Sequence, residues 1–215
     1  MQRPSLLGKK EPLDALCLHF NVVKTLHPAG SPIPTFFDMP ITRDAYMPSH
    51  VLALYQSTTT SSTSPLMVPV DAGMYNNGFR VDLIPPALPG STSPVPYNHP
   101  SSRVLTVSLP VVPTSVPHVA SMPLLLLFGL NLETQTNLLA LHLLPAQVIE
   151  EFPNAAAMAQ VMSLLPEDDI QRRVTYNQGI WKNVLALGVR NPNVVELIRT
   201  AWNVTAEARR LRQRW

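Results

Sequence analysis

The side chains able to do chemistry are few in this chain and poorly spaced for it. Six histidines, His19, His27, His50, His99, His118 and His142, are scattered without the short repeats that hold a metal. Cys17 is the single cysteine, so neither an intramolecular disulfide nor a multi-cysteine metal site can form. Its expected role is that of a small buried apolar residue. Cys17 and His19 would face one side of a strand, but two ligands do not make a zinc site. Acidic residues cluster at Glu150-Glu151 and at Glu167-Asp168-Asp169. A general acid–base pair needs convergence in a pocket that shifts pKa values, whereas adjacent acids opening a helix read as solvated caps. The sequence contains no G-x-S-x-G elbow, phosphate-binding glycine loop or dinucleotide fingerprint. The expectation is a protein that is not an enzyme and carries no cofactor or metal.

One concentrated charge remains. The segment EARRLRQRW places Arg209, Arg210, Arg212 and Arg214 within a few residues of one another, beside Trp215. Such a cluster can meet an acidic protein surface, a nuclear-import receptor or phosphates, or can simply complement a helix C-terminus. A net charge of +2 is too small for a general nucleic-acid binder. A partner or nuclear-import contact is therefore the expected use, with nucleic-acid binding through this helix as the alternative. The arginines alternate with an apolar seam, which suits a helix lying on a protein.

The elements that position these residues divide near Pro123. All but four of the 23 prolines lie at or before that residue, the exceptions being Pro145, Pro153, Pro166 and Pro192. Proline removes a backbone donor and fixes φ, so few long helices or central strands are expected before residue 123. Residues 13–27 alternate weakly, with Leu16, Leu18, Phe20 and Val22 on one face of a predicted strand. Ser49 is a candidate N-cap for a short helix running to about Gln56. The polar tract at 57–65 and the proline-rich stretch at 85–117 are expected to be flexible, with one strand at Arg103–Leu109. The Asn77-Gly78 pair followed by FRVDLI signals a hairpin. An SH3 or WW ligand is conceivable in the prolines, but a linker is the commoner use.

Beyond Pro123 the pattern is helical. Met122–Leu130 and LETQTNLLALHLL predict one buried helix ending at Pro145. The apolar run at its start spans roughly half the ~20 residues a membrane helix requires. Asn154 or Pro153 opens AAAMAQVMSLL, and the proline and three acids at 166–169 open another helix. Asn177 is a candidate cap for QGIWKNVLAL, which Gly188 terminates, and Asn191-Pro192 starts the last helix. Trp181, Trp202, Val194, Ile198 and Leu211 are the candidate structural anchors. If Trp202 is buried, its truncation to alanine costs about 3–5 kcal/mol. The sequon at Asn203 falls within the last helix and is set aside. The first residues, MQRPSLLGKKEPLD, carry no apolar core of a secretory signal.

The C-terminal stretch resembles the clampless-protein family of basidiomycete fungi over about 90 residues, the likeness being carried by NQG-x-WKNVLALG (Asn177–Gly188) and AWNVTAEARR (Ala201–Arg210). The resemblance implies a regulator of sexual development, acting in clamp-cell formation and dikaryon progression through protein partners, with the nucleus favoured over the cytoplasm. Transcriptional or cell-cycle regulators are the partners it implies. A weaker analogy, from element order alone, is with BTB-type self-associating adaptors. The expected fold is α+β. Residues 1–123 form a loop- and proline-rich region with short strands and one short helix, packed on a helical module at 124–215.

Overall fold

The element that organises the N-terminal part is a long central strand, which the proline content argued against. Residues 5–8, 10–28, 30–57, 64–85 and 94–213 are described by a computed structural model. In it a twelve-residue strand, β5 (Leu105–Val116), runs through the centre of a five-stranded sheet. Its neighbours are β1 (Phe36–Pro40), antiparallel along 106–110, and β2 (His50–Gln56), parallel along 111–116. β3 (Leu66–Val70) extends the sheet beyond β2, and the short β4 (Tyr97–Asn98) pairs with residues 105 and 106.

β5 carries Pro110 and Pro113 because its partner changes between them. The Val111 N–H donates to Thr35 O at 2.9 Å on the β1 side, and Val116 O accepts from Ser57 N at 3.0 Å on the β2 side. Backbone groups alternate sides along a strand. Pro113 therefore turns its missing donor toward the β1 side, past the end of the β1 ladder. Pro110 turns its own toward the β2 side, one residue before the ladder with Val51 begins. Pro69 sits on β3, an edge strand. No proline in the sheet removes a ladder bond from a paired interior position. The flexibility expected over 85–117 is thus overturned for the ordered residues 94–117, while 86–93 and 58–63 lie outside the described residues.

Three local expectations are corrected. Residues 13–27 do not form a strand; α1 (Pro12–His19) is a helix with proline in its first turn. Leu13, Leu16, Cys17 and Phe20 are buried at helical spacing, while Leu18, placed on the predicted strand face, is exposed. The segment after Ser49 is β2 rather than a helix, with Val51, Leu52, Ala53 and Leu54 all buried. Burial on both faces removes the alternation that would have marked it as a strand. Ser49 is not an N-cap: its Oγ accepts from Ala72 N at 2.8 Å, at the start of a distant helix whose N-cap is Asp71, Oδ1 of which accepts from Met74 N. That helix, α2 (Ala72–Gly78), stands where the hairpin was expected. Gly78 is needed there for close approach, since a Cβ on it would lie 2.0 Å from Gly129 O.

The connection to the helices is a 3-10 turn at Val119–Ser121, leading into α3 (Met122–Gly129). All eight residues of α3 are buried, between α1 on one side and a long later helix on the other. The single helix expected from 122 to 144 is two. Asn131 (φ 58°) closes α3 in the left-handed conformation, with Leu132 N donating back to Leu127 O at 3.0 Å. Glu133 then accepts from Thr134 N and Gln135 N, and α4 (Thr136–Leu143) follows. The remaining helices are α5 (Ala146–Ile149), α6 (Ala155–Ser163), α7 (Glu167–Leu187) and α8 (Pro192–Arg212).

Most helix boundaries of the C-terminal part follow the expected caps. Asn154 Oδ1 accepts from Ala157 N, and Asn191 Oδ1 accepts from Asn193 N and Val194 N. Gly188 ends α7 at φ 65°. The exception is Asn177, which caps nothing and lies inside the uninterrupted α7. One apolar cluster runs from Leu7 through the sheet and α3 to Ala208, so the two compositional parts share a core. The fold is α+β, with the strand-bearing part packed on the helices. Among the described residues no helix is long and apolar enough to cross a membrane.

Candidate functional site

Two surfaces gather the chemistry-bearing residues: the end of α8, and a cleft at the first half of α7. On α8, Val194, Ile198, Ala201, Val204, Thr205 and Ala208 form the buried stripe. Val194 and Ile198 lie in the core, and Trp181 on α7 is half-buried against it. Trp202 and Leu211 are half-buried outside that cluster. Trp202 instead lines an open groove of about 530 Å³ with Asn203, Ala206, Glu207 and Arg210 of α8 and Ala155 and Ala156 of α6.

The arginines are not equivalent. Arg212 is a structural clamp. Its Nε lies 2.8 Å from Glu167 at the start of α7, and its Nη1 donates to Ser163 O and Leu165 O at the end of α6. Arg210 pairs with Glu207 one turn back at 3.3 Å, and Arg209 is exposed. Arg214 and Trp215 lie outside the described residues.

The stretch Asn177–Gly188 is explained by packing. Asn177, 1% exposed, donates from Nδ2 to Leu143 O at 3.1 Å and ties α7 to the end of α4. Gly179 lets the His118 ring approach, where a Cβ would come within 2.3 Å of it. Asn183 is fully buried and clasps the turn after β5. Its Oδ1 accepts from His118 N at 3.1 Å, and its Nδ2 donates to His118 O at 2.7 Å and Ser121 Oγ at 3.1 Å. His118 Nδ1 and Ser121 Oγ share a further hydrogen bond at 2.9 Å. Burial lowers the His118 pKa, and Lys182 lowers it further. Ser121 is fully buried, so this histidine–serine pair offers no nucleophile to a substrate.

The cleft has a volume of about 540 Å³ and lies among α1, α4 and α7. Its charged lining is Lys24, Arg172 and Arg173 against Glu11 and Asp169, with His142 at the wall. Leu13, Leu66, Pro123 and Leu143 supply apolar surface. Arg172 pairs with Asp169, and Lys24 with Asp14 at 3.4 Å. Arg173 has no ion pair among the described residues; its one hydrogen bond there, at 3.5 Å, runs to the carbonyl that Asn177 already occupies. Burial lowers its pKa, with Asp169 opposing and Arg172 assisting. Burial likewise pushes the Tyr176 hydroxyl up to about 12, helped by Glu11. Nothing in the spacing of these residues along the sequence pointed to this cleft, because α1, α4 and α7 are brought together only by the core.

The remaining candidates stay apart. Cys17 is buried, and burial followed by Asp14 raises its thiol pKa to about 11. Helix α1 sends Cys17 and His19 in different directions, and no group of three metal-ligating side chains occurs among the described residues. The helix over PSHVLALYQ and the hairpin at Asn77-Gly78, which carried the BTB analogy, are a strand and a helix. None of the family models, curated proteins or solved structures compared with the chain matches it.

Proposed function

We propose that this protein is a non-enzymatic regulator of fungal sexual development that works by holding a protein partner, with the nucleus as its favoured compartment. The observation that carries the reading is the Trp202 groove. The stretch Ala201–Arg210, which bears much of the likeness to the clampless family, lines an open channel on the surface rather than being spent wholly on the core. A half-buried tryptophan flanked by small alanines, with Glu207 and Arg210 at the rim, is the composition of an anchor pocket. The partners proposed are transcriptional or cell-cycle regulators. Of the four arginines proposed for that contact or for an import receptor, Arg209 and Arg210 are exposed and support the reading, Arg212 is engaged within the fold, and Arg214 lies outside the described residues.

The test is genetic and local. Deleting the gene in a clamp-forming basidiomycete should stop clamp-cell formation, and the wild-type chain should restore it. Ala156→Glu, which fills the groove from α6 without touching the core, should fold normally and fail to restore it. Normal clamp cells in the deletion strain overturn the developmental reading. Full rescue by Ala156→Glu removes the groove from it.

A further inference from the structure

The cleft among α1, α4 and α7 takes no part in the partner-holding role proposed for α8. We propose that it is a binding site for a small organic oxyanion, a carboxylate or phosphate ester whose anionic end meets Arg173 and whose apolar body lies on Leu13, Leu66 and Pro123. Three independent observations meet there. The first is a half-buried cation with no ion pair among the described residues, although Asp169 lies near enough to favour its charge. Lys24 and Arg172 have ionic partners within the chain, while Arg173, half-buried, has among the described residues only a long hydrogen bond to a carbonyl it shares with Asn177. A guanidinium presents a planar fork of donors that matches a carboxylate or phosphate, and withdrawing it from water without an anion is costly.

The second is an unanswered acceptor. Asn177 forms part of the same wall, is 1% exposed, and its Oδ1 has no donor among the described residues although its Nδ2 is satisfied. Buried polar atoms are ordinarily paired, so this acceptor calls for a donor, such as a hydroxyl on the body of the ligand, while the anionic end is left to Arg173. The third is shape. A volume of about 540 Å³ falls within the ordinary range of small-molecule sites, and this one combines apolar walls with a few polar groups. With Lys24, Arg172 and Arg173 against Glu11 and Asp169, the lining also carries an excess of positive charge before His142 is counted.

The experiment is an NMR titration of the full chain with phenyl phosphate, with benzoate, and with benzyl alcohol as the neutral counterpart. The result expected is saturable shifts centred on Arg173, Tyr176 and Asn177 with at least one of the two anions, and none with the alcohol. The tighter of the two anions then identifies phosphate or carboxylate as the preferred head group. Arg173→Gln should weaken binding about tenfold or more, the loss of one charge-assisted hydrogen bond, and Lys24→Gln by less. Both positions are partly exposed, so both variants should keep the wild-type fold. Absence of saturable shifts with both anions overturns the proposal, as does equal binding of the alcohol or an unchanged affinity in Arg173→Gln. None of these outcomes touches the α8 groove, so the developmental reading fails or stands separately.

Discussion

The sheet and the helices of this protein are specified in different ways. In the helical part the chain announces its own boundaries: Asn154, Gly188 and Asn191 act within a few residues of where they stand. In the sheet part the same residue types act at a distance. Ser49 ties down the first N–H of a helix that starts 23 residues later, beside that helix's own cap Asp71, and Gly78 is required by the backbone of Gly129. Local signals are legible one residue at a time, whereas signals between distant segments acquire meaning only once the pairing exists.

The contrast can be broken most forcefully at Gly78. Gly78→Ala puts a methyl group into Gly129 O, so its cost should reach about 3 kcal/mol or more, the upper end of overpacking. Chemical denaturation measures it, and a cost like that of an ordinary exposed helix position would show that the contact yields. Next comes Asn183→Leu, which strands the His118 N–H in the seam between the two parts and leaves the His118 C=O only its 3.3 Å bond from Ser121 Oγ. With an orphaned group worth about 1–3 kcal/mol, the Tm should fall well below that of a matched surface variant.

Smaller effects sharpen the comparison. Asn191→Ala removes a local cap and should cost about 1 kcal/mol. Pro113→Val, in the middle of a central strand, should stay within about 0.5 kcal/mol because no ladder bond is at stake. A large loss at Pro113 would refute the account of how β5 changes partners. His118 and His50 give an acid dependence. Burial lowers both pKa values below the ordinary 6.5, with Lys182 lowering the first further and Asp71 opposing at the second. The unfolded chain then binds more protons than the folded one as pH falls through 6.5, so stability is lost on acidification below that point. The Tm should drop between pH 7.5 and 5.5, and His118→Gln should flatten part of that slope.

These contrasts explain what could be read from the residues alone. The α+β fold and the last helices were legible because their caps are local. Helix α1 carries its own local signals too: Pro12 at its start and Leu13, Leu16, Cys17 and Phe20 at helical steps outweigh the alternation at 16–22 that suggests a strand. Asn131 and Asn21 are the less obvious stops, left-handed residues that close α3 and α1 where glycine would be expected. β2 was not legible, since Val51–Leu54 are apolar without period and only β3 and β5 make them a strand. The α8 arginines were found in the sequence, but not that Arg212 is occupied by Glu167. The cleft was out of reach, because Lys24 and Arg173 belong to distant segments that only the shared core brings together.

The change in composition at Pro123 falls inside α3, whose eight residues are all buried between segments from both parts of the chain. For anyone wishing to work with half of this protein, the visible seam is therefore the wrong place to cut. A fragment starting there would carry most of MPLLLLFG without α1 to cover it, and one ending there would leave α1 without the helix it packs on, so neither would report on its half. Because the core is shared, a recombinant that exchanges one part must exchange the lining of α3 with it.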